Sequence, residues 1–83
     1  MKTAVVILNW NGKDFLRTFL PGLVDSVRDM DAEVIVADNA SEDGSTDWLR
    51  EEMPELKLLC FDRNYGFTGG YNRAFRELEE YGP

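Results

Sequence analysis

The segment of residues 34–45 limits the fold of this chain more than any other. Residues 34–37 form an unbroken apolar run, which is typical of a parallel strand buried on both faces. The run stops at Asp38 and Asn39, and the Ser-Glu-Asp-Gly sequence of residues 41–44 predicts a turn into a helix. Ligands of open α/β sheets bind beyond the carboxyl ends of such strands, so Asp38 lies where a ligand would be held. The alternative is a turn in which Asp38 and Asn39 hydrogen-bond only their own backbone.

Composition narrows the class of protein. The 83 residues carry a formal net charge of −7, which argues against nucleic acid as a partner because its phosphates would be repelled. There is no histidine, so imidazole catalysis and histidine-ligated metals are excluded within these residues. Cys60 is the sole cysteine, which fits a reducing compartment, and no apolar run approaches the roughly 20 residues of a membrane span. We therefore expect a cytoplasmic location.

The rest of the chain alternates between strand and helix patterns. Apolar runs at residues 4–8, 33–37 and 56–61 predict three strands, and an amphipathic stretch after each predicts a helix. Right-handed crossovers between such elements produce a parallel sheet with helices on its faces. The sequence therefore predicts an α/β fold with three αβα layers.

Local signals predict helix starts and buried faces. Asn11 is expected to cap the first helix, Pro21 to kink or restart it, and Ser45 or Thr46 to cap the second. Cys60 is interpreted as a packed thiol, because its strand is taken to be buried on both faces. The residues expected on the buried faces of the second and third helices are Trp48, Leu49, Met53, Tyr71, Ala74, Phe75 and Leu78.

Polar residues follow all three strands, at 9–11, 38–39 and 62–70, and in a parallel sheet these ends share one edge. A carboxylate there can accept an N–H of a nucleobase or a ribose hydroxyl, while Trp10 can either stack on a base or serve as ordinary packing. Glycines at 66, 69 and 70 would let the backbone approach a ligand, and a nearby helix N-terminus favours phosphate. Neither G-x-G-x-x-G nor G-x-x-x-x-G-K-[ST] occurs, which argues against dinucleotide and P-loop sites. A nucleotide-handling site of another kind is the leading hypothesis.

Three further polar residues are interpreted mainly in structural terms. Ser41 and Asp43 are expected to tie their loop to the following helix. Arg63 is either an ordinary exposed loop side chain or a contact for phosphate.

Three motifs in this order resemble those of the family 2 glycosyltransferases of GT-A fold, and most closely the rhamnosyltransferase-like branch. They are V-V-I-L-N-W-N-G at residues 5–12, V-A-D-N-A-S-E-D-G-S at residues 36–45, and N-Y-G-F-T-G-G-Y-N at residues 64–72. By this resemblance, Asp38 would contact the base of a donor nucleotide and Trp10 would stack on it. The other positions that the resemblance places near the nucleotide are Leu8, Asn9, Asn64, Gly66, Gly70 and Asn72.

The same resemblance implies that residues 1–83 are the N-terminal, nucleotide-sugar-binding part of a truncated GT-A (Rossmann-like) half, with three parallel strands in the order 3-2-1. The implied reaction is transfer of a sugar from a UDP or dTDP donor to an acceptor hydroxyl, in cell-wall or polysaccharide synthesis at the inner face of the membrane. A divalent metal, Mg or Mn, is expected in the full enzyme, held by a D-x-D motif. The D-M-D sequence at residues 29–31 precedes the second strand, on the opposite edge of the sheet. No catalytic residue is assigned within this chain, and we expect it to be inactive alone.

In the 3-2-1 order the first strand, residues 4–8, is an apolar edge without a neighbour, which predicts a homo-oligomer. Two other functions are weighed. A receiver-like domain could use Asp62 as phosphoacceptor, but asparagines stand where an acidic pair would be needed after the first strand. A non-catalytic interaction or structural domain derived from a GT-A half is the remaining alternative.

Overall fold

The computed structural model describes residues 3–80, except for the side chain of residue 80. The elements are β1 (Thr3–Asn9), α1 (Lys13–Val27), β2 (Ala32–Asp38), α2 (Ser45–Glu52), β3 (Lys57–Cys60) and α3 (Gly66–Glu80). All strand pairs are parallel, and the order β1-β2-β3 places β2 in the centre. The predicted α/β class, the alternation of elements and the 3-2-1 order are confirmed.

The central strand β2 carries the core on both of its faces, because successive side chains of a strand point to opposite sides. On one side, Val34 and Val36 pack with buried leucines of α1 and α2. On the other side, Ile35 and Ala37 pack with Leu59 and with residues at and after the end of β3 and in α3. These two clusters give the three predicted layers, with α1 and α2 on one face and α3 on the other.

The outer strands are less buried than the sequence indicates. β1 has one neighbouring strand, and its residues 5–8 are only half-buried. Cys60, predicted to be packed, is exposed, because it ends a four-residue edge strand; its thiol accepts a hydrogen bond from Arg50 Nη2 at 3.4 Å. Partial desolvation raises the pKa of this thiol, and Asp38 acts in the same direction while Arg50 opposes it.

Helix α1 differs from the prediction at its start and at Pro21. Its N-cap residue is Gly12, without a side-chain cap, so the prediction for Asn11 is wrong. The amide oxygen of Asn11 instead accepts the backbone N–H of Glu42. The helix continues through Pro21 without restarting, because Leu20 before it and Leu23 after it pack in the same core cluster, while Pro21 itself is exposed.

Helices α2 and α3 also depart from the local expectations. The N-cap of α2 is Gly44, at φ +84°, so neither Ser45 nor Thr46 caps it. Leu49 and Ala74 are buried as predicted, whereas Phe75 is exposed, because its ring lies against Tyr71 on the outer side of the helix rather than against the sheet. Within residues 3–80, no helix has the length and apolar character needed to cross a membrane.

Candidate functional site

The carboxyl ends of the three strands are aligned in the sheet. Asn9 at the end of β1 pairs with Asp38 at the end of β2, which pairs in turn with Cys60 at the end of β3. The polar residues that follow therefore share one edge, as the sequence predicts. We call Asn9, Asp38, Asn39, Ser41 and the turn of residues 64–66 the strand-tip cluster.

Asp38 is the hub of this cluster. Its Oδ1 accepts hydrogen bonds from Asn9 Nδ2 at 2.8 Å and from Ser41 Oγ at 2.7 Å, and its Oδ2 accepts the N–H of Ser41 at 2.9 Å. The residue is only 1% exposed. The bonds to Ser41 hold the loop that follows β2, as expected if Asp38 forms a turn with its own backbone. The bond to Asn9 joins Asp38 to the neighbouring strand β1, which a simple turn does not predict.

The loop that carries Trp10 is fixed on both sides. Asn11, at the left-handed φ of 51°, donates its N–H to Ser41 Oγ at 2.9 Å and accepts the N–H of Glu42 at 2.7 Å. The N–H of Lys13 bonds Asp43 Oδ2 at 2.9 Å. Trp10 stands on this braced loop with 57% of its surface exposed.

Asp43 has the bracing role that the sequence predicts, whereas Ser41 bonds Asn9, Asn11 and Asp38 rather than the following helix, so that prediction is wrong for Ser41. Asp43 Oδ1 accepts both the N–H and the hydroxyl of Ser45, at the first turn of α2. Partial desolvation would raise the pKa of Asp43, but the hydrogen bonds from Ser45 and from the N–H of Lys13 outweigh it and hold the pKa below its ordinary value. Asp43 therefore acts as the acceptor that the predicted caps Ser45 and Thr46 do not supply.

Asn39 connects the β2 end to the turn before α3, a role that sequence reasoning missed. Its Oδ1 accepts the N–H of Tyr65 at 2.9 Å, its Nδ2 donates to the carbonyl of Gly66 at 3.0 Å, and its own N–H bonds the carbonyl of Asn9 at 2.8 Å. Asn39 is buried. The only signal in the sequence is an amide directly after a buried strand, which also fits a simple turn.

The turn into α3 contains three of the predicted site residues. Gly66 adopts φ +77°, a conformation that favours glycine, and donates its N–H to Asn64 Oδ1 at 2.7 Å. Gly70 is buried, and a Cβ at this position would lie 2.7 Å from a methyl carbon of Leu8 and 2.9 Å from Asn39 Nδ2. The glycine at 70 thus allows close packing of α3 on the strand ends.

Two arginines lie against the ring of Tyr65 beside the same turn. The guanidinium carbons of Arg63 and Arg73 each lie 5.1 Å from the centre of the Tyr65 ring. The hydroxyl of Tyr65 donates to Asp62 Oδ1 at 2.5 Å, and this bond is the main reason that the pKa of Asp62 is lowered. Glu77 pairs with Arg73 at 3.6 Å and Asp62 bonds Tyr65, so this surface carries charges of both signs.

The predicted site residues are brought together to different degrees. Asn9 touches Asp38 directly, while Leu8, Gly66 and Gly70 meet around Asn39. Trp10 and Asn64 are exposed on the adjoining loops. Asn72 is exposed on α3, two residues beyond the buried Gly70 and thus about 200° around the helix from it. The structure does not bring Asn72 to the cluster.

Divalent metals are held in proteins by groups of carboxylate, imidazole or thiolate ligands. Across residues 3–80, no group of three or more such side chains is placed to hold a metal ion. The carboxylates of Asp38 and Asp43 are both occupied by hydrogen bonds within the chain. The residues present therefore do not fit the metal that the resemblance implies for the full enzyme.

Comparisons with known proteins agree on one family. The family model described as glycosyl transferase family 2 matches residues 4–79. An uncharacterized glycosyltransferase, YfnE of Bacillus subtilis (strain 168), is 39% identical over 78 residues, which cover 92% of this chain and 20% of that relative. The chain thus spans about a fifth of the length of this curated relative. No solved structure matches significantly.

Proposed function

This chain belongs to glycosyl transferase family 2, and on that premise we propose that it binds the nucleotide of an activated sugar donor at the strand-tip cluster. It would form the donor half of an enzyme that transfers the sugar to an acceptor hydroxyl, in cell-wall or polysaccharide synthesis, within the rhamnosyltransferase-like branch. The proposed location is the cytoplasm, which the free Cys60 fits. Catalysis is assigned to residues outside this chain.

The observation that carries the proposal is the placement of Trp10. Its exposed ring stands at the ligand-binding edge of a parallel sheet, on a loop that Asn11 and Lys13 bond to the β2–α2 connection. An aromatic ring held in this way offers a stacking face to a base at little cost in ordering. The turn of residues 64–66 borders the same edge and is proposed to close the other side of the base.

The carboxylate of Asp38 favours a pyrimidine base that carries an imide N–H, as in UDP or dTDP, over cytosine. A carboxylate only accepts hydrogen bonds and offers about four lone-pair sites, of which three are used here. The remaining one suits the imide N–H of uracil or thymine, whereas the corresponding ring nitrogen of cytosine carries no hydrogen. Because Asp38 is 1% exposed, this contact requires the loop of residues 40–42 to shift on binding.

The proposal is tested by titrating UDP, dTDP and CDP into the Trp48→Phe variant, in which Trp10 is the single indole. We expect UDP or dTDP to change the Trp10 fluorescence, with a Kd above about 1 μM because half of the donor site lies outside this chain. Calorimetry on the wild type should then show that Trp10→Ala weakens binding by about 5- to 150-fold, since stacking on a base is worth about 1–3 kcal/mol.

Met30→Ala is the matched control, because Met30 is 62% exposed and lies just before β2, at the opposite edge of the sheet. It should leave the affinity unchanged. Binding that is equally strong in Trp10→Ala would refute the stacking role. Absence of any signal with UDP and dTDP at millimolar concentration would refute the nucleotide site.

A second candidate is a non-catalytic interaction domain, since β1 is an apolar strand with one neighbouring strand among residues 3–80. Binding of no nucleotide together with stable self-association would support that candidate over the first.

A further inference from the structure

Asn11 combines a left-handed backbone with a side-chain hydrogen bond to a different loop. Its φ is 51°, and its amide oxygen accepts the N–H of Glu42 at 2.7 Å. Left-handed conformations are costly for most residues other than glycine, and asparagine is one of the few types that adopt them. Because Asn11 is exposed and caps no helix, neither burial in the core nor helix capping explains why asparagine stands there.

Asn11 bonds the β2–α2 connection through both its backbone and its side chain. Its N–H donates to Ser41 Oγ at 2.9 Å, while its amide oxygen holds Glu42, the next residue of that connection. A further bond, from the N–H of Lys13 to Asp43, follows at the start of α1. The chain is therefore tied to the β2–α2 connection directly after Trp10.

The residue after Asn11 brings the same loop close to the strand-tip cluster. A Cβ at Gly12 would lie 2.6 Å from Asn9 Oδ1, so any larger residue there would have to displace the amide of Asn9. That amide is held in place, because its nitrogen donates to Asp38 at 2.8 Å. The loop is thus fixed before Trp10 by the end of β1 and after it by Asn11 and Gly12.

Trp10 depends on this loop for its orientation. Its side chain is 57% exposed, and among the described residues it belongs to neither core cluster. A side chain with so little packing around it is oriented chiefly by its own backbone, which lies between Asn9 and Asn11. Holding a loop in its bound conformation raises affinity, because less ordering remains to be done when the ligand binds.

We propose that Asn11 is a positioning residue for the nucleotide. It holds Trp10 in the orientation in which the ring stacks on a base, and it does not touch the nucleotide itself. Position 11 then needs a residue that adopts a left-handed backbone and carries an acceptor oxygen on a short side chain. Asparagine and aspartate meet both requirements. Glycine meets only the first, so Asn11→Gly keeps the backbone conformation accessible and removes the amide oxygen.

The first test measures the motion of the Trp10 ring without nucleotide. Time-resolved fluorescence anisotropy of the Trp48→Phe variant reports Trp10 alone, because the chain has two tryptophans. In this background, Asn11→Gly should increase the amplitude of nanosecond ring motion, whereas Asn11→Asp should leave it at the value of the parent. Ser26→Ala is the matched control and should change nothing, since it removes one exposed side-chain bond of α1, about 20 Å along the helix from Lys13.

The second test asks whether Asn11 affects binding through Trp10. NMR titrations with UDP of the wild type, Asn11→Gly, Trp10→Ala and the doubly substituted chain form a double-mutant cycle. Asn11→Gly should weaken binding by about 2- to 10-fold, the equivalent of one net hydrogen bond. In the Trp10→Ala background the same change should have no effect, because the ring that Asn11 positions is gone. A direct contact between Asn11 and UDP would instead weaken binding equally in both backgrounds.

Two results would overturn the positioning role of Asn11. One is unchanged ring motion in Asn11→Gly, and the other is an effect of Asn11→Gly on UDP binding that persists without Trp10. Since this role rests on the proposed nucleotide site, the titrations also separate the two. UDP binding that Trp10→Ala leaves unchanged, or no binding by the wild type, refutes the nucleotide site together with the role. Binding that Trp10→Ala weakens and Asn11→Gly does not refutes the positioning role alone.

Discussion

The substitution Gly70→Ala separates two explanations for a glycine beside the strand ends. A glycine that serves only to admit a ligand tolerates a methyl group without loss of stability. In the structure, however, a Cβ at residue 70 would lie 2.7 Å from a methyl carbon of Leu8 and 2.9 Å from Asn39 Nδ2. Leu8 can rotate away, but the Asn39 amide is held by Tyr65 and Gly66, so the helix must move.

The size of the effect follows from two opposing contributions. Forcing a methyl group into a packed contact costs about 1–3 kcal/mol. Replacing glycine by alanine inside a helix returns up to about 1 kcal/mol. We therefore expect Gly70→Ala to lower the free energy of unfolding by about 1–2 kcal/mol and the Tm by about 5–15 °C for a chain of this length.

Gly22→Ala is the matched control, because Gly22 lies inside α1 and a Cβ there meets no atom within 4 Å. It should raise the free energy of unfolding by about 0.5–1 kcal/mol. Urea titrations and thermal melts measure both variants at one fixed protein concentration, since any self-association would add to the apparent stability. If Gly70→Ala proves as stable as Gly22→Ala, close packing is not the reason for the glycine at 70.

Two further predictions concern the strand-tip cluster and its loop. Asn39→Ala should lower the free energy of unfolding by about 2–3 kcal/mol in urea, because the N–H of Tyr65 and the carbonyl of Gly66 lose a buried partner. Asn64→Ala removes one exposed hydrogen bond and should lower it by less than about 1 kcal/mol. Equal losses in the two variants would contradict this ranking. Because folding lowers the pKa of Asp43, the ionised carboxylate stabilises the fold fully at pH values above its unfolded pKa, near 4. This stabilisation is lost as the pH falls through the pKa that Asp43 has in the folded chain. Asp43→Asn should therefore flatten the decline of Tm below about pH 4, and an unchanged acid slope would show that Asp43 does not contribute.

The order and type of the elements could be predicted because each strand is an apolar run and each helix has a 3.6-residue stripe. The local signals were less informative. Asn11 is a good N-cap residue by type, but its side chain bonds the N–H of Glu42 in another loop, a partner that no local pattern specifies. Pro21 should interrupt a helix, yet Leu20 before it and Leu23 after it pack in the same core cluster.

The burial predictions that were wrong share one cause. Cys60 and Phe75 were both placed in the core because apolar runs and stripes do not indicate where a sheet ends. In a three-stranded sheet only β2 is covered by neighbours on both sides. Cys60 ends an edge strand, and the exposed ring of Phe75 stacks on that of Tyr71 at 6.2 Å.

The hydrogen bonds at the strand ends limit how the proposed donor site could work. Among the described residues, no buried side-chain nitrogen or oxygen lacks a partner. Three hydrogen bonds already hold Asp38, which is 1% exposed, so a nucleotide N–H at its remaining lone pair would contribute only about 0.5–1.5 kcal/mol. Stacking on the exposed ring of Trp10 displaces no bond within the chain and contributes about 1–3 kcal/mol. Affinity should thus come chiefly from Trp10, while Asn9, Asp38 and Ser41 hold the loop that presents it.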